Sequence, residues 1–358
     1  MDFDLDADQR ALRDAARAFL EREAPISYAR AMLDDPRGYR DDVWRKMADL
    51  GWMALPFPAE SGGLGQGFVA LAILLTEMGR VVLPGPYFST VVLGGHAVAE
   101  TGTESQRKEV VGQICSGDLV GTFADAPATV EACPVGNEYR LTGTARYVLD
   151  GGTAARVVIA AEDGDGAGVF LAEPRETVPV ASMDGTRKVA HVIFDETPAE
   201  RLGEGDAGDA LRRIRDRACA GLAAEMLGAA ERVAEMAVGY AKQRVQFDRP
   251  IGSFQAVKHR AADMHLEVES LRNAVHHAAW MIDRDHPDVS LTASLAKAYA
   301  SDAFRRVAAS GIQIHGGIGF TWEHDMHLYF KRAKGNEVAF GDATFHRERV
   351  AQLLRARA

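Results

Sequence analysis

Residues 244–264 read RVQFDRPIGSFQAVKHRAADM and separate two long stretches of helical periodicity. The preceding stretch, ALRRIRDRACAGLAAEMLGAAERVAEMAVGYAKQR, predicts one helix of more than about 30 residues. Further helical periods follow over about 254–283, over about 290–314 and from about 342 onward. Because helices of this length usually pack side by side, residues 204–358 are predicted to form a four-helix bundle.

The chain before this region changes its pattern twice. Between residues 119 and 203 the runs EYRLTGTARYVLD, ARVVIAAE, GVFLAEP and KVAHVIFDE are short, β-branched and bounded by turn residues, which predicts a small antiparallel sheet domain. Residues 1–118 are helical in period but interrupted by glycine and proline clusters. The sequence therefore predicts an α+β chain with an N-terminal helical domain, a small central β-sheet domain and the C-terminal bundle.

Composition excludes several classes of function. The 358-residue chain has a net charge of −10 and no long basic run, which argues against nucleic-acid binding. No run of 18 apolar residues predicts a membrane span, and the charged N-terminus does not resemble a signal peptide. Three widely spaced cysteines imply neither disulfides nor zinc, so we expect a cytoplasmic protein.

The segment between the two long helices is a candidate anion site. Arg244 could pair with a diphosphate through parallel hydrogen bonds, and Phe247 could flank an adenine. The alternative is a polar turn between helices that holds an ordinary ion pair, because arginine is common at helix ends.

A second candidate segment, QIHGGIGFTWEHDMHLYFKRAK, covers residues 313–334. Gly316 and Gly317 would let a ligand or another backbone approach closely. His315, His324 and His327 lie near one another in sequence but do not have the spacing of a metal motif, so no metal is expected.

In their order and spacing, these two segments resemble the C-terminal domain of the acyl-CoA dehydrogenase family. The stretch MDGTRKVAHVIFDETPAERLG resembles the end of that family's sheet domain, and the three-domain layout matches over essentially the whole chain. The resemblance implies FAD as cofactor and removal of the α-proton and β-hydride of an acyl-CoA thioester. A glutamate is the family's base, and the flavin site straddles two subunits.

By resemblance, this sequence has the residues with which family members contact the flavin of a neighbouring subunit. The matching residues are Arg244, Phe247, Phe254, Gln255, Gln313, Gly316 and Gly317. The half that holds the chain's own flavin ring departs from the family. Tyr147 stands where tryptophan is usual, Leu149 replaces a hydroxyl residue, and GTFADAPATVEACPV lacks the glycines of the family's substrate loop.

The family's base is also missing. Aligned on Gly341, the chain has Phe340 where most members have glutamate, and phenylalanine cannot accept a proton. A second position used by some members matches Ala218. Glu225, seven residues later in an apolar run, is the candidate base, with a structural glutamate paired to an arginine as the alternative. Asp342 is expected to cap the last helix.

Three hypotheses follow from this pattern. The favoured one is a heteromeric acyl-CoA dehydrogenase, in which this chain lends flavin contacts to a related partner subunit that supplies the base. The resemblance includes actinobacterial steroid side-chain enzymes, so a steroid-like acyl group is one candidate substrate. The others are a self-sufficient homo-oligomer that uses Glu225 or Asp342 as base, and a scaffold without redox chemistry. Small residues in GLAAEMLGAA (Ala223, Ala224, Gly228) and a short sheet domain suggest room for a bulky acyl chain, and residues from a partner could fill the same space.

Overall fold

The computed structural model describes residues 5–126, 128–136, 138–164 and 166–357. Its N-terminal part is helical, as expected. The helices are α1 (Ala7–Glu23), α2 (Ile26–Ala31), α3 (Asp41–Asp49), α4 (Gly67–Arg80), α5 (His96–Thr101), α6 (Glu104–Gln106) and α7 (Gly112–Cys115). Two π-helical segments, Phe88–Gly95 and Arg107–Val111, precede α5 and α7. Asp6 caps α1 in a capping box with Gln9, and α4 is buried over most of its length.

The central region folds into a seven-stranded sheet. Its strands are β1 (Gly121–Asp125), β2 (Val130–Val135), β3 (Glu138–Leu149), β4 (Arg156–Glu162), β5 (Ala167–Ala172), β6 (Glu176–Val180) and β7 (Val189–Arg201). The pairings β4–β2–β3–β7–β5–β4 form a closed ring, with β1 beside β4 and β6 beside β7. The antiparallel pairing expected from the sequence is found for β2–β3, β3–β7, β4–β5, β5–β7 and β6–β7, but β4 pairs in parallel with β1 and β2. The ring encloses an apolar core around Val157, Phe170 and Phe194.

The C-terminal region contains the predicted long helices. They are α8 (Gly208–Gln243), α9 (Gln255–Asp283), α10 (Val289–His315), α11 (Met326–Val338) and α12 (Ala343–Arg355). Two-residue strands β8 (Val245–Gln246) and β9 (Arg249–Pro250) lie between α8 and α9. Helix α11 was not foreseen, because its histidine, basic and aromatic residues were considered as site residues rather than as a helix.

The chain divides into two compact units. One unit consists of the N-terminal residues up to Ala29, Phe68–Leu83 and the chain from Cys219 onward, and the other consists of Arg30–Gly67 and Pro84–Ala218. The first unit contains α1, α4 and α9–α12, and the second contains the sheet. In the described parts of the chain, no helix has both the length and the apolarity that crossing a membrane requires.

Candidate functional site

The segment after α8 forms a tight β-hairpin. Val245 pairs with Pro250 and Gln246 with Arg249, so Phe247 and Asp248 are the two turn residues. Both have positive φ angles, 56° and 62°, as a two-residue hairpin turn requires. This conformation is unfavourable for phenylalanine, and it leaves the Phe247 side chain 86% exposed.

Ring contacts order the base of this hairpin. The Phe247 ring lies edge-on to Phe254, with 6.0 Å between ring centroids. The Arg249 guanidinium lies 4.2 Å from the centroid of the Phe254 ring, within the range of a cation–π contact. Arg244 and Gln255, at the two ends of the segment, are exposed. The predicted flavin contacts of this segment therefore lie on a short stretch of chain that borders solvent.

The end of α10 carries the other predicted contacts. Gln313, Gly316 and Gly317 are exposed, and Gly316 has a φ of 66°. A Cβ atom added at either glycine would have no heavy atom within 4 Å, so the space beside both is open. The rings of Tyr240 in α8 and His315 in α10 stack with centroids 4.5 Å apart. This stack holds the ends of α8 and α10 together.

The residues of the hairpin and of the α10 end fit the nucleotide half of a flavin. An exposed guanidinium can bind a diphosphate, and an exposed aromatic ring can contact an adenine. The open backbone at Gly316 and Gly317 allows close approach of a ligand. The two segments that the sequence selected therefore begin at the joined ends of α8 and α10.

The three neighbouring histidines make ring contacts within the same region. His315 contacts His324 with 4.4 Å between centroids, and its Nδ1 bonds to the carbonyl of Gly311 at 2.8 Å. His327 lies edge-on to Trp322 at 4.6 Å. Burial lowers the pKa of His315. Among the described residues, no three His, Cys, Asp or Glu side chains converge as a metal site would require.

The strand that corresponds to the family's flavin-ring support is distorted. Strand β3 is bulged between Ala145 and Val148, and Tyr147 there has a φ of 57° and is 69% exposed. The backbone N–H of Tyr147 donates to Nδ1 of His191 at 3.2 Å, and the two rings meet edge-on at 4.9 Å. Leu149 has no side-chain donor. These residues do not fit the hydrogen-bonding role of the family's flavin strand.

Glu225 is buried in an ion pair. Its Oε1 accepts from Nη1 of Arg332 at 2.6 Å and from Nδ2 of Asn336 at 3.3 Å. Arg332 is only 1% exposed. This is the arrangement expected if Glu225 is a structural glutamate paired with an arginine, the alternative to a catalytic base. A catalytic role for Glu225 stays a prediction.

The small residues around Glu225 fill a helix crossing. A Cβ on Gly228 would lie 1.7 Å from the carbonyl oxygen of Thr76, and one on Gly79 would lie 2.0 Å from that of Glu225. The Thr76 hydroxyl also donates to the carbonyl of Ala224 at 3.2 Å. Helices α4 and α8 therefore touch backbone to backbone. The expectation that these residues leave room for a bulky acyl chain was wrong.

Position 340, the place of the family's glutamate, lies in the turn between α11 and α12. Phe340 has a φ of 57° and is half-buried. Asp342 accepts a hydrogen bond from the backbone N–H of Phe345 at 2.8 Å and caps α12, as the sequence predicted. Ala218 is buried at 1% exposure, and its methyl group supplies no base.

Beneath this turn lies a polar cluster that sequence reasoning missed. Lys297 in α10 and His346 in α12 are both fully buried and donate to carbonyl oxygens of the turn and of the end of α11. The only signal in the sequence was a lone lysine in the apolar run SLAKAYA. A single charged residue within an apolar run was also the reason for selecting Glu225.

Comparisons with known proteins agree with this architecture. The model of the acyl-CoA dehydrogenase N-terminal domain matches residues 6–118, and that of the C-terminal domain matches residues 216–354. The acyl-CoA dehydrogenase IpdE2 of Mycobacterium tuberculosis is 35% identical over 330 residues, covering 92% of each chain. IpdE2 of Mycolicibacterium smegmatis is 36% identical over 338 residues, covering 93% of this chain and 94% of the relative.

Solved structures lead to the same family. The ChsE4–ChsE5 complex from Mycobacterium tuberculosis matches with a TM-score of 0.92 and 30% identity over 99% of each chain. The Tcur3481–Tcur3483 steroid ACAD matches with a TM-score of 0.90 and 30% identity over 98% of each chain. The chain belongs to the acyl-CoA dehydrogenase family, a family of oxidoreductases whose membership implies a flavin cofactor.

Proposed function

We propose that this chain is one subunit of a heteromeric, FAD-dependent acyl-CoA dehydrogenase. The enzyme would introduce an α,β double bond into an acyl-CoA thioester. This chain would bind the nucleotide half of an FAD molecule. A related partner subunit would bind the flavin ring of the same FAD and supply the catalytic base. When bound, the FAD accepts the hydride that leaves the β-carbon.

The proposal rests on a contrast between the residues that would contact a neighbouring subunit's FAD and those that would contact the chain's own flavin and substrate. The residues that would bind a neighbouring subunit's cofactor are exposed, and they lie in the hairpin segment and at the end of α10. The positions that would serve the chain's own flavin and substrate hold Tyr147 on a bulge, Leu149 and Phe340. None of these three side chains has a carboxylate.

The related structures support the same assembly. Two of them are described as pairs of different proteins, ChsE4–ChsE5 and Tcur3481–Tcur3483, and the second pair is called a steroid ACAD. We therefore propose a related acyl-CoA dehydrogenase chain as partner and a steroid-like acyl-CoA as the first substrate to test.

Glu225 does not favour the self-sufficient alternative. Its carboxylate already accepts hydrogen bonds from Arg332 and Asn336 inside the helical unit. Moving that carboxylate to a substrate would leave the buried Arg332 without this partner, which is costly.

Flavin stoichiometry tests the proposal. The chain expressed alone should purify without flavin, and co-expression with its partner should give one FAD for each pair of chains. One FAD per chain with acyl-CoA-dependent bleaching in the chain alone would contradict the proposal. Colourless protein in both settings would favour a scaffold.

An Arg244→Ala variant tests the assigned contact. Loss of charge-assisted hydrogen bonds to the diphosphate should weaken FAD binding by the pair about 10- to 100-fold. Arg212→Ala is the matched control, because Arg212 is an exposed arginine of α8 whose surface ion pair with Asp209 contributes little. Equal flavin retention in both variants would remove Arg244 from the site.

A further inference from the structure

The β8–β9 hairpin carries two arginines on one face. In its ladder, Gln246 pairs with Arg249. The backbone N–H of Ile251 donates to the carbonyl oxygen of Arg244 at 2.8 Å, so the pairing continues by one residue beyond β8. Because side chains alternate between the two faces of a strand, Arg244 and Arg249 project from the same face. They are diagonal neighbours across the hairpin, a relation in which the two residues lie about 7–8 Å apart.

The positive charges of both arginines are left uncompensated by the chain itself. Arg244 and Arg249 are exposed, and within the described residues neither guanidinium has a carboxylate at ion-pair distance, although Asp248 lies in the same turn. By contrast, Arg272, further along α9, pairs with two glutamates at 2.8 Å and 2.6 Å. The chain as a whole has a net charge of −10, so this face is a local site of opposite sign. An anion is the ligand that it attracts.

Arg249 is held by an aromatic ring rather than by a carboxylate. Its guanidinium lies over the ring of Phe254, 4.2 Å from the centroid. Such stacking uses the flat face of the guanidinium, so the N–H donors in its plane stay available to a ligand. Phe247 meets the same ring edge-on, with 6.0 Å between centroids. The Phe254 ring therefore connects the candidate adenine contact, Phe247, to this second cation.

We propose that Arg249 is a second diphosphate-binding residue, which acts together with Arg244 on one nucleotide diphosphate. A diphosphate carries negative charge on both of its phosphates, and each guanidinium can donate parallel hydrogen bonds to phosphate oxygens. The long side chains of two diagonal neighbours can converge on one such group. The family resemblance assigns Arg244 to the diphosphate, but it does not assign Arg249. The assignment rests on the proposed function in that the diphosphate is taken to be that of FAD.

Calorimetric titration of the full chain, freed of any flavin, with ADP and with adenosine tests the role of Arg249. ADP shares its adenine and its diphosphate with FAD, whereas adenosine has no phosphate. At low ionic strength, where screening is weak, the wild type should bind ADP at least about 10-fold more tightly than adenosine. Arg249→Ala and Arg244→Ala should each weaken ADP binding about 10- to 100-fold and leave adenosine binding unchanged.

Arg260→Ala is the matched control, because Arg260 is an exposed arginine of α9 that has no ion pair in the described part of the chain. This control should bind ADP as the wild type does, and an Arg249→Ala variant indistinguishable from it would overturn the inference. Equal weakening of ADP and adenosine would also overturn it, because Arg249 would then act only by orienting the Phe254 ring. A wild type without preference for ADP would do the same. The titration needs no partner subunit, so its outcome is separate from the flavin stoichiometry that tests the heteromer.

Discussion

Among the residues that the structure describes, three aromatic residues share a left-handed backbone conformation: Tyr147, Phe247 and Phe340. By resemblance, all three stand at positions that contact flavin or substrate in the family. Left-handed conformations of residues with side chains cost free energy and are frequent at functional sites. The sequence could locate these positions, because their neighbours match family motifs. It could not reveal the conformation, which depends on partners distant in sequence, such as His191 and Lys297.

Replacing Glu225 with glutamine separates its two possible roles. Loss of the charge opposite the buried Arg332 should lower the free energy of unfolding by about 3 kcal/mol, measured by chemical denaturation. Turnover by the assembled enzyme should persist at temperatures where the variant is folded. Lost turnover with unchanged stability would instead identify Glu225 as the base.

At the scale of elements, the β8–β9 hairpin has an unusual turn. Two-residue hairpin turns favour Asn-Gly, because both residues need positive φ, yet this hairpin has Phe247-Asp248. Helix periodicity predicted the long helices on either side, but nothing in the sequence marked this turn as a hairpin. The turn therefore has an exposed phenylalanine at a cost in backbone free energy, as expected of a residue that binds a ligand.

A turn exchange tests this trade-off. Phe247→Asn combined with Asp248→Gly should raise the free energy of unfolding by about 1–2 kcal/mol and reduce flavin retention by the pair. Asp248→Gly alone is the control, because it relieves strain and keeps the ring. That control should be stabilised and retain its flavin, as measured by denaturation and by the visible absorbance per pair. Full flavin retention in the double variant would exclude Phe247 from the site.

The helix crossing at Gly79 and Gly228 shows that the sequence of one helix does not predict which segment packs against it. In sequence, small residues on α8 are equally compatible with an open pocket and with a close helix contact. Only the position of α4 decides between them, and it places the Thr76 carbonyl where a side chain on residue 228 would be. Interactions between segments about 150 residues apart cannot be obtained from local periodicity.

At the scale of the whole molecule, buried histidines make stability depend on pH. Burial lowers the pKa of His346 to about 4 and that of His96 to about 3, from an ordinary value of 6.5. Between the folded and unfolded pKa values the unfolded state binds more protons. The stabilisation is therefore present above pH 6.5 and is lost as the pH falls towards 4.

His346→Gln removes one of these titrating groups. The free energy of unfolding of the variant should fall less steeply than that of the wild type between pH 6.5 and 4. Each proton corresponds to about 1.4 kcal/mol per pH unit. Denaturant unfolding at several pH values measures the difference. Parallel pH dependences in the two proteins would contradict the buried, neutral state of His346.

The overall architecture could be predicted from the sequence, because helix length, the short β-branched runs of the strands and the two motifs are all local sequence patterns. The α+β class and the family membership are confirmed. The parallel pairing of β1 with β4, helix α11 and the Lys297 cluster were not accessible. Each depends on which distant segment lies opposite, and that information is absent from any short window of the chain.

The discontinuous composition of the helical unit has a consequence for synthesis. Helices α1 and α4 leave the ribosome long before the residues from Cys219 onward, against which the buried face of α4 packs. Until those residues emerge, the most apolar helix of the unit lacks the α8 backbone that covers it. A nascent chain arrested before residue 219 should therefore engage holdase chaperones through α4, and release should follow translation of α8.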